Sequence, residues 1–104
     1  MNLRLALALA LKTIRKRRKL TQEDFGLVSS RTYISALERG LKSPTIDKLD
    51  EIARQMGIHP ASLVLVTYAI LAGQESAQAT FDQILSESSE LIRELSEVDQ
   101  AAVD

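Results

Sequence analysis

Arg31, Thr32 and Tyr33 follow directly on Ser29-Ser30, so a serine able to cap a helix stands just before three side chains that can hydrogen-bond from its first turn. A few residues earlier, Thr21 stands before Gln22-Glu23-Asp24, the pattern of another helix start with acids in its first turn. Two short helices joined by a tight turn, the second presenting Arg31, Thr32 and Tyr33 at its exposed start, suggest a helix-turn-helix whose second helix reads a nucleic-acid groove. The chemistry on offer is recognition by hydrogen bonds and charge.

The charge distribution points the same way. The formal net charge is only -1, yet ten of the 13 Lys and Arg residues lie in residues 1–42 against three acids. Residues 43–104 reverse this, with three basic residues against eleven acidic ones. A near-neutral total therefore hides a basic amino-terminal half suited to a polyanion and an acidic half suited to something else. Bond-making chemistry is poorly provided for. The chain has no cysteine, a single histidine and no phosphate-cradling glycine loop, so no enzyme activity, metal site or cofactor is expected.

Elements able to position these residues can be read along the chain. At 104 residues, with 45% hydrophobic residues and only 4 Gly and 2 Pro, the sequence predicts one small all-α domain with an appendage. Leu3 to Arg18 reads as a helix with a basic end, because Leu and Ala are strong helix formers; Leu7, Leu11, Ile14 and Arg18 share one stripe. This run reads as structure, with neither a cleavage site nor the length to span a bilayer. A short helix is expected from Gln22 to about Val28, and another from Arg31 to Arg39, with Ile34 and Leu37 inward and Gly40 just past its end. Thr45 caps a helix carrying Ile46, Leu49, Ile52, Ala53 and Met56, which Gly57 stops. His59-Pro60 opens a fifth helix that is apolar on almost every side, His59 reading as a cap or hinge and not as a metal ligand.

Gly73-Gln74-Glu75-Ser76 marks a joint. Beyond it Phe81, Ser88 and Leu95, and Ile84, Leu91 and Val98, recur at intervals of seven, which suits packing against another helix. The acids at 87, 90, 94 and 97 read as the wet side of that helix. The boundaries are therefore a helix-turn-helix domain over 1–72 and a helical extension over 73–104. With Leu63 and Tyr68 of the fifth helix, the residues Phe81, Ile84, Leu85, Leu91, Ile92 and Leu95 are the candidates for dimerisation.

Longer runs of residues now carry a resemblance. Leu20-Thr21-Gln22-Glu23-Asp24-Phe25 and Arg31-Thr32-Tyr33-Ile34-Ser35-Ala36-Leu37-Glu38-Arg39-Gly40 are similar to the phage-repressor-like, Xre-type (Cro/C1-type) helix-turn-helix family of transcriptional regulators. Ser43-Pro44-Thr45-Ile46, Leu49, Ile52-Ala53 and Met56-Gly57-Ile58 continue it in register, so it covers residues 10–66. The resemblance implies a five-helix DNA-binding domain, here with an added amphipathic helix. It implies base contacts from Ser30, Arg31, Thr32 and Ala36, where Arg can pair with guanine and a methyl group with thymine. It implies contacts to the DNA backbone from Gln22, Tyr33, Arg39, Lys42 and Ser43, to which the basic helix end adds Arg17 and Lys19. It also implies an ion pair, Arg15 with Glu38, tying the first helix to the recognition helix. One departure stands out: the family usually has two more residues between the position of Gly26 and the cap at Ser30, and a turn glycine absent from Leu27-Val28-Ser29-Ser30. The turn is therefore tighter or the second helix shorter.

The expected function is sequence-specific binding of a double-stranded operator by a homodimer, as a cytoplasmic, nucleoid-associated transcriptional regulator, with repression the expected sign and no membrane involved. The alternative is the antitoxin of a toxin–antitoxin pair, in which the helix after Gly73 covers a toxin-like second protein and DNA binding serves autoregulation.

Overall fold

The computed structural model describes the backbone of residues 1–103 and the side chains up to Val98. Its first helix, α1 (Leu3–Arg17), starts where Asn2 Oδ1 accepts the Leu5 N–H at 2.9 Å and ends in Arg15, Lys16 and Arg17, whose charges complement the helix dipole. The Leu/Ala alternation has a packing consequence. Ala6, Ala8 and Ala10 are buried, so α1 can approach its neighbour closely, while Leu3, Leu5 and Leu9 are left nearly half exposed. Lys19 takes the left-handed conformation (φ 58°) that closes the helix, with the Leu20 N–H reaching the Arg15 carbonyl.

The second helix expected from the sequence is reduced to a single 3-10 turn, Gln22–Phe25. Asp24 Oδ2 accepts the Thr21 N–H at 2.6 Å to open it, and Phe25, fully buried, anchors it. It stops there for local reasons. Gly26 is a poor helix residue, and Ser29-Ser30 must leave the helical conformation to cap the next helix. The intervening chain folds into tight turns in which the Val28 and Ser29 N–H groups both donate to the Phe25 carbonyl, at 2.9 and 2.8 Å.

Helix α2 (Arg31–Glu38) is capped by Ser30, whose Oγ accepts the Tyr33 N–H at 3.1 Å, and buries Ile34 and Leu37. Gly40 follows at φ +71°, a left-handed conformation that calls for glycine, while the nearest atom to a Cβ there is the end of the half-exposed Leu5 side chain, which can move aside. Helix α3 (Ile46–Gln55) is capped by Thr45 through the Lys48 N–H and stops at Gly57. Helix α4 (Pro60–Ala72) begins where His59 Nδ1 accepts the Ala61 N–H at 2.9 Å, so the one histidine is a helix cap. After Gly73 and a 3-10 turn, Gln74–Ser76, helix α5 (Ala77–Val103) folds back along α4.

The core gathers Leu11 from α1, Phe25 from the 3-10 turn, Ile34 and Leu37 from α2, Ile52 and Ala53 from α3, and Leu63 from α4. Leu63 was a dimerisation candidate from the sequence. At 2% exposure it is instead a core residue, because α4 turns that side toward α1 and α3. Thr67, also buried, satisfies its hydroxyl on the Leu63 carbonyl at 2.8 Å. Among the described residues no single helix is long and apolar enough to cross a membrane.

The expected Arg15–Glu38 pair is present. Arg15 Nε and Nη2 donate to the two Glu38 carboxylate oxygens at 2.6 and 2.9 Å, and Nη1 donates to the Leu20 carbonyl at 2.8 Å. The hydrogen bond to Glu38 raises the Arg15 pKa above its ordinary value against the opposing effect of burial, so the guanidinium stays charged. The side chains keep only 10% and 3% of their exposure. Removing one partner leaves the other charge desolvated and alone, so Glu38→Ala is expected to lower the unfolding free energy by about 3–5 kcal/mol. Arg15→Met combined with Glu38→Leu is expected to cost less than Glu38→Ala alone. Urea unfolding of the two variants checks both, and a Glu38→Ala midpoint equal to wild type contradicts this role for the pair.

Candidate nucleic-acid interface

The surface around the start of α2 is built by three segments that the core holds in place. Phe25 pins the 3-10 turn, Ile34 and Leu37 pin α2, and the side chains on the opposite side of α2 are left to solvent. Arg31 and Thr32 are both exposed in the first turn of α2. Arg31 Nε lies 2.8 Å from Glu23 Oε1, a pair formed at the surface. Ser30 is exposed, but its Oγ is already engaged as the cap. Tyr33 is half-buried against the core, and Lys42 Nζ stands 5.8 Å from its ring centroid, a cation–π contact that draws Lys42 toward the same helix.

Ala36 requires a correction. Its position one turn beyond Thr32 suggested apolar contact with a base, yet only 7% of it is exposed. The Leu41 N–H donates to the Ala36 carbonyl and the Gly40 N–H to the Leu37 carbonyl, both at 3.0 Å, closing the end of α2 around a left-handed Gly40. The Ala36 methyl group lies with Ile34 and Leu37 among the buried side chains of α2.

Gln22 lies at the mouth of the buried ion pair. One N–H of its amide points to Glu38 Oε1 at 3.3 Å, and the same nitrogen carries a second donor. Arg39 is exposed, its Nε donating to the Ser35 carbonyl at 3.3 Å, and Lys42 and Ser43 are exposed beyond it. Arg17 and Lys19 are exposed at the end of α1.

Two participants escaped the sequence reading. Glu23 is one, since only the fold brings it to Arg31. Lys48 is the other. From the first turn of α3 its Nζ donates to the Val28 carbonyl at 2.5 Å and pairs with Glu51 at 3.0 Å, tying α3 to the turn before α2. The i,i+3 pair of Lys48 with Glu51 lies within α3, but the contacts of Glu23 with Arg31 and of Lys48 with Val28 join separate segments and have no signal in spacing.

Away from α2, an apolar groove of about 730 Å³ runs between α3, α4 and the near half of α5, with Ile46, Leu49, Pro60, Val64, Tyr68 and Ile84 among its walls. Among the described residues no group of three or more His, Cys, Asp or Glu side chains is arranged to hold a metal ion.

Comparison with known proteins agrees with this geometry. The sequence model of the helix-turn-helix family matches residues 11–63, from the middle of α1 into α4. The HTH-type transcriptional regulator y4dJ of Sinorhizobium fredii is 39% identical over 56 residues, covering 52% of this chain and 73% of the relative. Two crystal structures of the clp gene regulator ClgR from Corynebacterium glutamicum superpose with TM-scores of 0.64 and 0.66 at 28% and 27% identity. They cover 71% and 85% of this chain, and 99% and 95% of their own. The turn pinned by Phe25, the Ser30-capped helix and the matches together place this chain in the phage-repressor-like, Xre-type helix-turn-helix family of DNA-binding transcriptional regulators.

Proposed function

We propose that the protein is a repressor that binds its operator as a homodimer, with residues 1–72 reading DNA and residues 73–104 joining the two copies. The observation that carries the DNA-reading half is the exposed start of α2, where Arg31 and Thr32 reach solvent while the rest of the helix is fixed by the core. Arg31 is the candidate for a guanine and Thr32 for a neighbouring base. Gln22 offers its second amide N–H to a phosphate, Ser30 and Tyr33 border the same helix start, and Arg17, Lys19, Arg39, Lys42 and Ser43 supply further backbone contacts. Ala36 is left out because of its burial. Occupying an operator that overlaps a promoter is the simplest form of regulation here, since it requires no contact with polymerase.

The homodimer half rests on helix lengths. At 1.5 Å per residue α5, with 27 residues, is about 40 Å long, and α4, with 13, about 20 Å. Half of α5 therefore overhangs the helix that covers it. The overhang carries Leu91, Ile92, Leu95 and Val98, which are 57–64% exposed, while Phe81 and Ile84 nearer the joint are better covered. A two-fold axis near Leu91 would set Ile84 of each copy against Val98 of the other, because the repeat of seven is symmetric about that residue. Tyr68, Leu85 and Ile92 border the surface thus closed. One recognition helix reads few base pairs, and two half-sites multiply the discrimination.

Three measurements test this reading. Affinity for duplex DNA is expected to fall about tenfold for each doubling of salt if about four phosphates are engaged; an affinity flat from low to moderate salt contradicts it. Arg31→Ala is expected to cost about 1–3 kcal/mol on the selected operator and to relax preference at one or two base pairs, whereas Gln22→Ala weakens operator and random duplex alike. An equal loss on both duplexes for Arg31→Ala makes it a phosphate contact. Leu91→Glu with Leu95→Glu, both exposed within one copy, is expected to give a folded monomer in sedimentation, with operator binding at least tenfold weaker. A wild-type chain already monomeric at tens of micromolar contradicts the homodimer and leaves α5 for a toxin-like partner.

A further inference from the structure

We infer that the DNA-binding domain itself supplies part of the contact between copies: the apolar groove between α3, α4 and α5 seats the end of the partner's α5, around the partner's Leu95 and Val98. The inference rests on the homodimer proposed above and extends it beyond the pairing of two α5 helices. One side of α5 serves both surfaces. Thr80 and Ile84 form the α5 wall of the groove. Leu91, Leu95 and Val98 follow Ile84 by 7, 11 and 14 residues, each close to a whole number of helical turns. They therefore continue that wall along the overhang, beyond the start of α4. A partner helix laid antiparallel on this stripe, with the two-fold axis near Leu91, reaches the groove with its own end. The partner's Val98 comes level with Ile84, and the partner's Leu95 lies one turn nearer the axis.

The groove has the chemistry for such an occupant. Opposite Ile84 it is walled by Val64 and Tyr68 of α4 and by Ile46 and Leu49 of α3. Ile46, Val64 and Tyr68 are 84%, 37% and 42% exposed, and within one chain nothing more is available to cover them. Among the described residues no lysine or arginine lines the groove, and its one carboxylate, Asp50, keeps 52% of its side-chain exposure. An anionic small molecule finds no counter-charge there, whereas leucine and valine side chains need none. The consequence falls on DNA reading. The partner's helix end rests on α3, which Lys48 Nζ ties to the Val28 carbonyl in the turn before α2. Each recognition helix is thus braced by the other copy, and the separation of the two half-sites is held more firmly than by the α5 pair alone.

The test uses the full chain, whose lack of cysteine lets introduced thiols report single contacts. Within one chain Val98 lies about 20 Å along α5 from Ile84 and the groove. A bis-maleimide much shorter than that cannot join Val64→Cys to Val98→Cys in the same copy. The double variant, Val64→Cys with Val98→Cys, is expected to give a covalent dimer, and neither single variant to give one. Leu91→Cys, near the two-fold axis, is expected to be joined by itself. If Leu91→Cys is joined and the double variant is not, the groove seat is overturned and the homodimer stands, leaving the groove to another occupant. If neither is joined, both fall. Single variants joined as readily as the double one also overturn the seat. Val64→Glu is expected to melt like wild type and to raise the dimer dissociation constant about tenfold or more, because the new charge meets apolar side chains; an unchanged constant overturns the seat.

Discussion

The Glu38 carboxylate is the point on which the DNA-facing surface hangs. It accepts both N–H groups of one Arg15 edge and an N–H of the Gln22 amide, while Arg15 Nη1 also donates to the Leu20 carbonyl. One buried pair thus joins the end of α1, the start of the 3-10 turn and the last turn of α2. Such a pair is a doubtful net stabiliser, since withdrawing two charges from water costs about what their attraction returns. What it supplies is direction. Apolar contacts at Ile34 and Leu37 tolerate small rotations of a short helix, whereas a two-pronged arginine–carboxylate contact does not. A helix of eight residues, expected to place one arginine against one base, needs that restraint.

Legibility in the sequence tracked the range of each interaction. Ser30, Thr45 and His59 cap helices through bonds that span two or three residues, and Gly40 and Gly57 adopt positive φ just past helix ends, so local reading found them all. The Arg15–Glu38 pair spans 23 residues and was reached only through a family resemblance. Burial was the harder property. Ala36 and Leu63 have residue types and spacings that suit either an interface or a core, and only their burial in the folded chain, Leu63 on the side of α4 turned to α1 and α3, decides between them. The missing second helix is a similar case. Thr21, Glu23 and Asp24 announce a helix start correctly, but Gly26 and the serines that cap α2 end it after one turn.

The shortened segment is also held from outside by a charged side chain. Lys48 reaches back from α3 to the Val28 carbonyl, supplying a donor to a turn that no longer has helical neighbours to do so. A buried or half-buried carbonyl left without a donor costs about 1–3 kcal/mol, so the lysine is part of the turn's structure and not a spare phosphate contact. The basic amino-terminal half is accordingly less uniform than its charge suggests. Arg15 is structural and Arg31 is paired with Glu23, whereas Arg17, Lys19 and Lys42 remain exposed.

The acidic half obeys a different constraint, imposed by α4. A helix apolar on nearly all sides must be covered on nearly all sides, and α1 and α3 cover only part of it. The near half of α5 takes a further side, which accounts for the short joint at Gly73 and for the residual exposure of Val64, Val66, Tyr68 and Leu71 where cover is still incomplete. Once α5 has done this, its continuation has nothing left of α4 to lie on, yet after Ser88 its apolar spacing resumes at Leu91, Ile92, Leu95 and Val98. In the homodimer proposed above this stripe meets a second copy, and a wet flank carrying Glu87, Glu90, Glu94 and Glu97 keeps that surface away from the polyanion. Opposite charges in the two halves of the chain thus separate the two associations proposed for it, one with nucleic acid and one with a second copy, that would otherwise compete for the same exposed helices.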